Sequence, residues 1–218
     1  MTTVHLVRHG EVFNPDKILY GRLPDFHLSE RGREQAVVAA DWLTEHVGDR
    51  IVHLRCSPLE RAQETVAPLA LRTGLDVQTD HRLIEASNEL EGQRVGSPRD
   101  LARTAVKPRN LRLFVNPAKP SWGEPYRQIA ERVYAAVLSA RAAAAEHGGD
   151  AVCVSHQLPI YVTRLFLAGK PLPHSPRTRQ CALASVTSVT FTGPAASPVV
   201  VAIEYSEPSG SSSGIPGA

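Results

Sequence analysis

Short apolar runs alternate with helically striped segments along most of this chain, and that alternation narrows the folds open to it more than any other feature. The first run, Val4, Leu6 and Val7, begins almost at the N-terminus and stops at Gly10. Ser29 then caps a helix in which Ala36, Ala40, Leu43 and Val47 form one apolar stripe. A second run spans Ile51 to Leu54. The helix after it starts near Ser57-Pro58, carries Ala62, Val66 and Leu69, and ends before Gly74. Leu75 to Gln78 is a third, shorter run. Further on, Ile129, Val133, Val137 and Ala140 stripe a long helix that Gly148 and Gly149 can terminate. "AVCVSH" is another buried run, and Pro159 to Leu167 a short helix. "LASVTSVTF" and "PVVVAIEY", joined by a Gly-Pro turn, read as an edge hairpin.

This pattern predicts an α/β fold, a three-layer α/β/α sandwich around a mostly parallel sheet with an antiparallel edge strand. Residues 1–205 read as a single domain, with 42% hydrophobic content to build its core. Residues 206–218, rich in Ser, Gly and Pro, read as a disordered tail.

Parallel strands place their C-terminal ends on one side of the sheet, where loops diverge and ligands bind. Arg8 and His9 follow the first run, "SPLER" with Arg61 follows the second, and Ser155-His156 follows "AVCV". The third run leads into "RLIEASNELEG", which brings Glu85 to the same rim. Taken singly, a histidine at a strand end is usually a hydrogen-bonded structural residue, and an arginine on a first helical turn usually makes a surface ion pair. Burying two guanidiniums and an imidazolium together is costly unless an anion neutralises them. Together they predict a pocket for a dianion, equipped with a nucleophile and an acid.

The net charge of +2 is unevenly spread. Residues 94–127 hold Arg94, Arg99, Arg103, Lys107, Arg109, Arg112, Lys119 and Arg127 against only Asp100 and Glu124, and the rest of the chain is net negative. This basic insertion reads either as a solvated lid face or as a device that concentrates an anionic substrate. Its aromatics, Phe114, Trp122 and Tyr126, are not interleaved with the charges as a stacking platform would be, so nucleic acid is not the expected partner. Cys56, Cys153 and Cys181 are too few and too scattered for a disulfide framework or a zinc site, and read as buried thiols in a reducing compartment. No apolar run approaches a membrane span and no leader precedes the first strand, so a cytoplasmic protein is expected.

"LVRHGE", "SPLERAQET", a downstream Leu-x-Glu and "VSH" occur in that order over nearly the whole chain. In this the sequence resembles the histidine phosphatase superfamily, with its phosphoglycerate mutase-like fold. The resemblance implies that His9 is phosphorylated, that Arg8, Arg61 and His156 hold the phosphoryl oxygens, that Asn14 assists, and that Glu85 donates the proton. Substrate-binding positions on this reading are Arg8, Asn14, Arg61 and His156, with Gly21 and Arg22 in the "YGRLPDFH" loop and Gln157 beside His156. Arg22 and His27 in that loop reach substrate or stay solvated.

The chemistry accounts for these residue types. A neutral imidazole is the nucleophile, its other nitrogen donating to a backbone carbonyl while nearby positive charges depress its pKa. Two arginine forks and a protonated His156 bind the three equatorial oxygens of the transferring group. Glu85 is protonated for leaving-group departure and then serves as base, which calls for a raised pKa.

The chain departs from the family pattern in three places. Val12 stands where a Thr is common, and Asn14 comes one position early. Glu89 and Gly92 follow Glu85 where relatives space two glycines differently, which leaves Glu89 as the alternative acid. "WGEPY" replaces a Gly-Gly-Glu-Ser stretch, so Trp122 and Tyr126 either line the substrate side or pack in the core. His5 and His9 share a strand face at i, i+4 without carboxylate co-ligands, so neither a metal nor another cofactor is expected. The favoured reading is a phosphatase acting on a small phosphorylated metabolite. A mutase returning the phosphoryl group to its product and a non-catalytic phospholigand-binding regulator are the alternatives, and a homodimer stays open.

Overall fold

The computed structural model describes residues 1–94, 103, 123–175 and 179–210. Six strands, β1 (Thr2–Arg8), β2 (Ile51–Cys56), β3 (Val77–Thr79), β4 (Asp150–Ser155), β5 (Val186–Thr192) and β6 (Val199–Ser206), form one sheet in the order β3-β2-β4-β1-β5-β6. β1, β2, β3 and β4 are mutually parallel. β5 runs against β1, and β6 pairs antiparallel to β5, so the hairpin read from the sequence closes one edge. The helices among the described residues are α1 (Glu30–His46), α2 (Glu60–Thr73), α3 (Tyr126–Glu146) and α4 (Gln157–Leu167).

Side chains alternate across a strand, and both faces of this sheet are covered. Val4 and Leu6 of β1 and Ala151 and Cys153 of β4 pack with Ile129, Val133 and Val137 of α3 and Ile160 of α4. The intervening Val7, Val152 and Val154 pack with Ala40 and Leu43 of α1 and Ala62, Val66 and Leu69 of α2. The three layers follow directly, and so does the unbroken apolar character of "AVCV".

Several boundaries differ from the sequence reading: β2 runs on to Cys56 rather than stopping at Leu54, and α4 begins at Gln157 rather than Pro159. α2 begins at Glu60 rather than near Ser57, because Ser57 is engaged elsewhere and Leu59 is still extended (φ −76°, ψ 139°). The third strand is Val77–Thr79, set by its register with β2, in which Leu54 faces Val77. Leu75 packs into the core beside α2 instead. At the C-terminus Ser206 still belongs to β6, and Gly210 N–H donates to the Glu207 carbonyl in a turn that follows. Residues 211–218 of the predicted tail, and residues 95–102 and 104–122 of the basic insertion with Trp122 among them, lie outside the described residues. Tyr126 opens α3 and packs against the core. Among the described residues no helix is long and apolar enough to cross a membrane.

The loop after β1 lies directly on the first turn of α1. Ser29 caps that helix, accepting from Gly32 N–H at 3.0 Å and donating to Glu11 Oε1 at 2.8 Å. A Cβ on Gly32 would stand 2.0 Å from the Glu11 carbonyl oxygen, and one on Gly10 would stand 2.4 Å from that of Gly32. Gly10 is therefore needed for close backbone approach. Gly32→Ala, normally worth a gain of about 1 kcal/mol in a helix, should here cost about 2 kcal/mol through the backbone clash, read as a lowered urea midpoint.

Candidate active site

β2, β4 and β1 are neighbours, so their C-terminal ends stand side by side. Arg8 faces Ser155 across β1 and β4, and Cys56 faces Val154 across β2 and β4. The residues that follow are tied to the same edge: His9 N–H donates to the Ser155 carbonyl at 3.1 Å, and Ser57 N–H to that of Val154 at 3.0 Å. Arg8, His9, Arg61 and His156 are 2%, 1%, 0% and 0% exposed. The structure thus buries all four beside this edge of the sheet, where Arg61 and Arg8 act electrostatically on both His9 and His156.

His9 Nδ1 donates to the Gly10 carbonyl at 2.7 Å, which leaves the Nε2 lone pair as the nucleophilic position. Burial, followed by the charges of Arg61 and Arg8, holds its pKa well below the ordinary histidine value, so the ring is neutral. The His156 ring lies 5.1 Å away between centroids.

Two guanidiniums flank this pair. Arg8 Nη1 donates to the Cys181 carbonyl at 2.6 Å, and Arg61 Nη2 to the Gly21 carbonyl. The Arg61 guanidinium lies 4.7 Å from the centre of the Tyr20 ring. Nε and Nη2 of Arg8, Nε and Nη1 of Arg61, and Nδ1 of His156 are buried and make no hydrogen bond among the described residues. A buried donor left so costs about 1–3 kcal/mol. Several of them grouped at one sheet edge suit an anion with several oxygens.

His156 corrects one expectation. Burial first, then Arg61, His9 and Arg8, push its pKa well below the usual value, because this field disfavours another cation; the ring is neutral rather than protonated. Its Nε2 lies 2.7 Å from Ser57 Oγ. With the serine hydroxyl donating to Nε2, the imidazole proton sits on Nδ1, the nitrogen without a partner among the described residues.

Glu85 is 7% exposed, and its Oε1 accepts from Ala86 N–H at 2.8 Å. Burial raises its pKa above the ordinary glutamate value, against the opposing pull of the Ala86 hydrogen bond, Arg61, Arg179 and Arg8. Glu89, the alternative acid, is exposed. The Glu85 backbone is clamped: its carbonyl accepts from Arg22 Nε at 2.6 Å and Arg132 Nη2 at 3.3 Å. Both arginines pair with Glu124, and Arg132 Nη1 also grips the carbonyls of Arg82 and Ile84. Ser155 Oγ donates to the Leu83 carbonyl at 2.7 Å, tying this stretch to β4.

The remaining predicted residues are placed as follows. Asn14 spends its amide on its own loop, donating to the Ile18 carbonyl at 2.8 Å and accepting from Ile18 N–H at 3.0 Å. Gly21 supplies the carbonyl that orients Arg61. Arg22 buttresses Glu85 through the backbone. Gln157, first in α4, donates to the Cys181 carbonyl that Arg8 also uses. His27 pairs with Glu64 on the surface. His5 binds Ser188 Oγ at 2.8 Å, with its pKa lowered to about 4 chiefly by burial. Ser57, Tyr20 and Arg132 are the site residues that sequence reasoning missed. Arg132 follows Glu124, which precedes α3, by eight residues, the one local signal that was available.

Removing the Arg61 side chain should lower kcat by about 10²-fold or more, through lost stabilisation of charge in the transition state. An unchanged kcat in steady-state assays of Arg61→Ala places this guanidinium outside the reacting pocket.

The chain belongs to the histidine phosphatase superfamily, whose branch 1 profile matches residues 4–203. Among its relatives, the uncharacterized protein Rv0525 of Mycobacterium tuberculosis is 53% identical over 207 residues, 95% of this chain and 96% of its own. GpmB of Yersinia pestis, which bears the name of a phosphoglycerate mutase, is 30% identical over 85% of each chain. The solved mycobacterial glucosyl-3-phosphoglycerate phosphatase superposes with a TM-score of 0.70 at 26% identity, covering 95% of this chain and 99% of that one.

Proposed function

We propose that this protein is a phosphomonoesterase acting through a phosphohistidine at His9. The observation that carries the reading is the neutral His9, fixed by the Gly10 carbonyl, beside buried Arg8, Arg61 and His156 nitrogens that no group among the described residues satisfies. His9 Nε2 attacks phosphorus as the bond to the ester oxygen breaks, and Glu85 gives its proton to the departing oxygen. The guanidiniums and the His156 Nδ1–H hold the equatorial oxygens, doing the work that a metal ion does in other phosphoryl-transfer sites. Glu85, now a carboxylate, takes a proton from the water that attacks the phosphohistidine, which releases inorganic phosphate and restores His9. The buried free thiols Cys56, Cys153 and Cys181 fit a reducing cytoplasm.

The likeness to the glucosyl-3-phosphoglycerate phosphatase favours hydrolysis, and that to GpmB favours a mutase. A screen of phosphorylated metabolites, with and without 2,3-bisphosphoglycerate, separates the two. Phosphate release without isomerised product supports the phosphatase; isomerisation dependent on the bisphosphate selects the mutase instead.

A further inference from the structure

We propose that Arg179 is a specificity residue that recognises a second anionic group on the substrate, so that the preferred phosphomonoester also carries a carboxylate or another phosphoryl group. The inference rests on the phosphatase reading and adds to it a substrate class.

Arg179 stands one side chain away from the clamp. Its Nη1 lies 3.5 Å from Gln157 Oε1, Gln157 Nε2 lies 3.5 Å from the Cys181 carbonyl, and Arg8 Nη1 donates to that same carbonyl. The guanidinium is held from its other end, where Nε donates to His174 Nε2 at 2.8 Å. His174 Nδ1 in turn donates to the Leu172 carbonyl at 2.6 Å, which leaves Nε2 as the acceptor Arg179 needs. Its ring is packed by Tyr126 at 5.1 Å and by the edge of Tyr161 at 4.8 Å. Arg179 is therefore preorganised and only part-buried, and its charge is felt at both Glu85 and Arg8.

The charge balance of the site gives it a task. Arg22 and Arg132 are answered by Glu124. Among the described residues, Arg8, Arg61 and Arg179 have no carboxylate in ion-pairing contact. Arg8 and Arg61 already match the two charges of a phosphomonoester. A third guanidinium on the rim exceeds that requirement, and a planar fork of this kind suits a carboxylate or phosphoryl group.

Matched substrate pairs test the inference. 3-Phosphoglycerate against glycerol 3-phosphate differs by a carboxylate, and fructose 1,6-bisphosphate against fructose 6-phosphate differs by a phosphoryl group. The wild-type enzyme should favour the more anionic member of one pair by about 10- to 100-fold in kcat/KM, the range a charge-assisted hydrogen bond supplies; the pair that responds identifies the group. Arg179→Gln should erase that preference mainly through KM, and Arg179→Lys should restore part of it. Equal losses on both members of each pair, or a wild-type enzyme indifferent within both, overturn the inference while leaving the phosphatase reading standing. Failure to turn over any phosphomonoester overturns both.

Discussion

His9→Ala should lower the rate of phosphate release by about 10⁴-fold or more, the scale on which enzymes lose activity when a covalent nucleophile is removed. Ser57 is the other group that invites consideration, since its hydroxyl lies 2.7 Å from His156 Nε2 in an arrangement like a serine–histidine dyad. The electrostatics argue against it. Burial beside two guanidiniums depresses the His156 pKa so far that the ring is a poor general base, and a serine without an effective base is a weak nucleophile. His9 needs no base, because its lone pair is already free. Parallel assays of His9→Ala and Ser57→Ala decide the matter: the first should be inactive, and the second should retain turnover with weakened phosphoryl binding.

Glu85→Gln should be selective rather than simply inactivating. Protonation of a poor alkoxide leaving group is worth about 10²- to 10⁴-fold, whereas p-nitrophenolate departs with little help. The variant should therefore lose that factor on an alkyl phosphate and far less on p-nitrophenyl phosphate. The pH profile carries the sign. Burial raises the Glu85 pKa, and the acid acts only while protonated, so wild-type kcat/KM should fall as pH rises through that value. Glutamine cannot titrate, and the variant should lack this alkaline limb. Glu89→Gln should behave as wild type, because Glu89 is an exposed residue whereas Glu85 is buried beside Arg61 and Arg8. A selective loss from Glu89→Gln, with Glu85→Gln silent, would transfer the role to Glu89.

How much of this was legible depended on the range of the interactions. "VHLVRH" and "AVCVSH" read as strands with chemistry at their ends because a parallel strand covered on both faces is apolar throughout, and polar residues concentrate where it leaves the sheet. The Ser29 cap is local and was read correctly. Ser57 was misread as belonging to a helix start because its partner, His156, lies 99 residues away. The grip of Arg132 on the Glu85 carbonyl spans 47 residues and leaves no pattern in composition or periodicity. Asn14 shows another limit: the family likeness suggests a phosphoryl contact, and the hydrogen bonds by which its amide closes its own loop on Ile18 are not part of that pattern. The protonation of His156 was out of reach, since it depends on burial beside Arg61 and Arg8 rather than on residue type.

The central claim is that the phosphoryl group passes through His9, and trapping it there is the most direct test. Enzyme mixed with ³²P-labelled substrate under single-turnover conditions and quenched in alkali should carry label that is stable to base, labile to acid and located at His9. Label on Ser57, or no protein-bound label while substrate is consumed, would contradict the account.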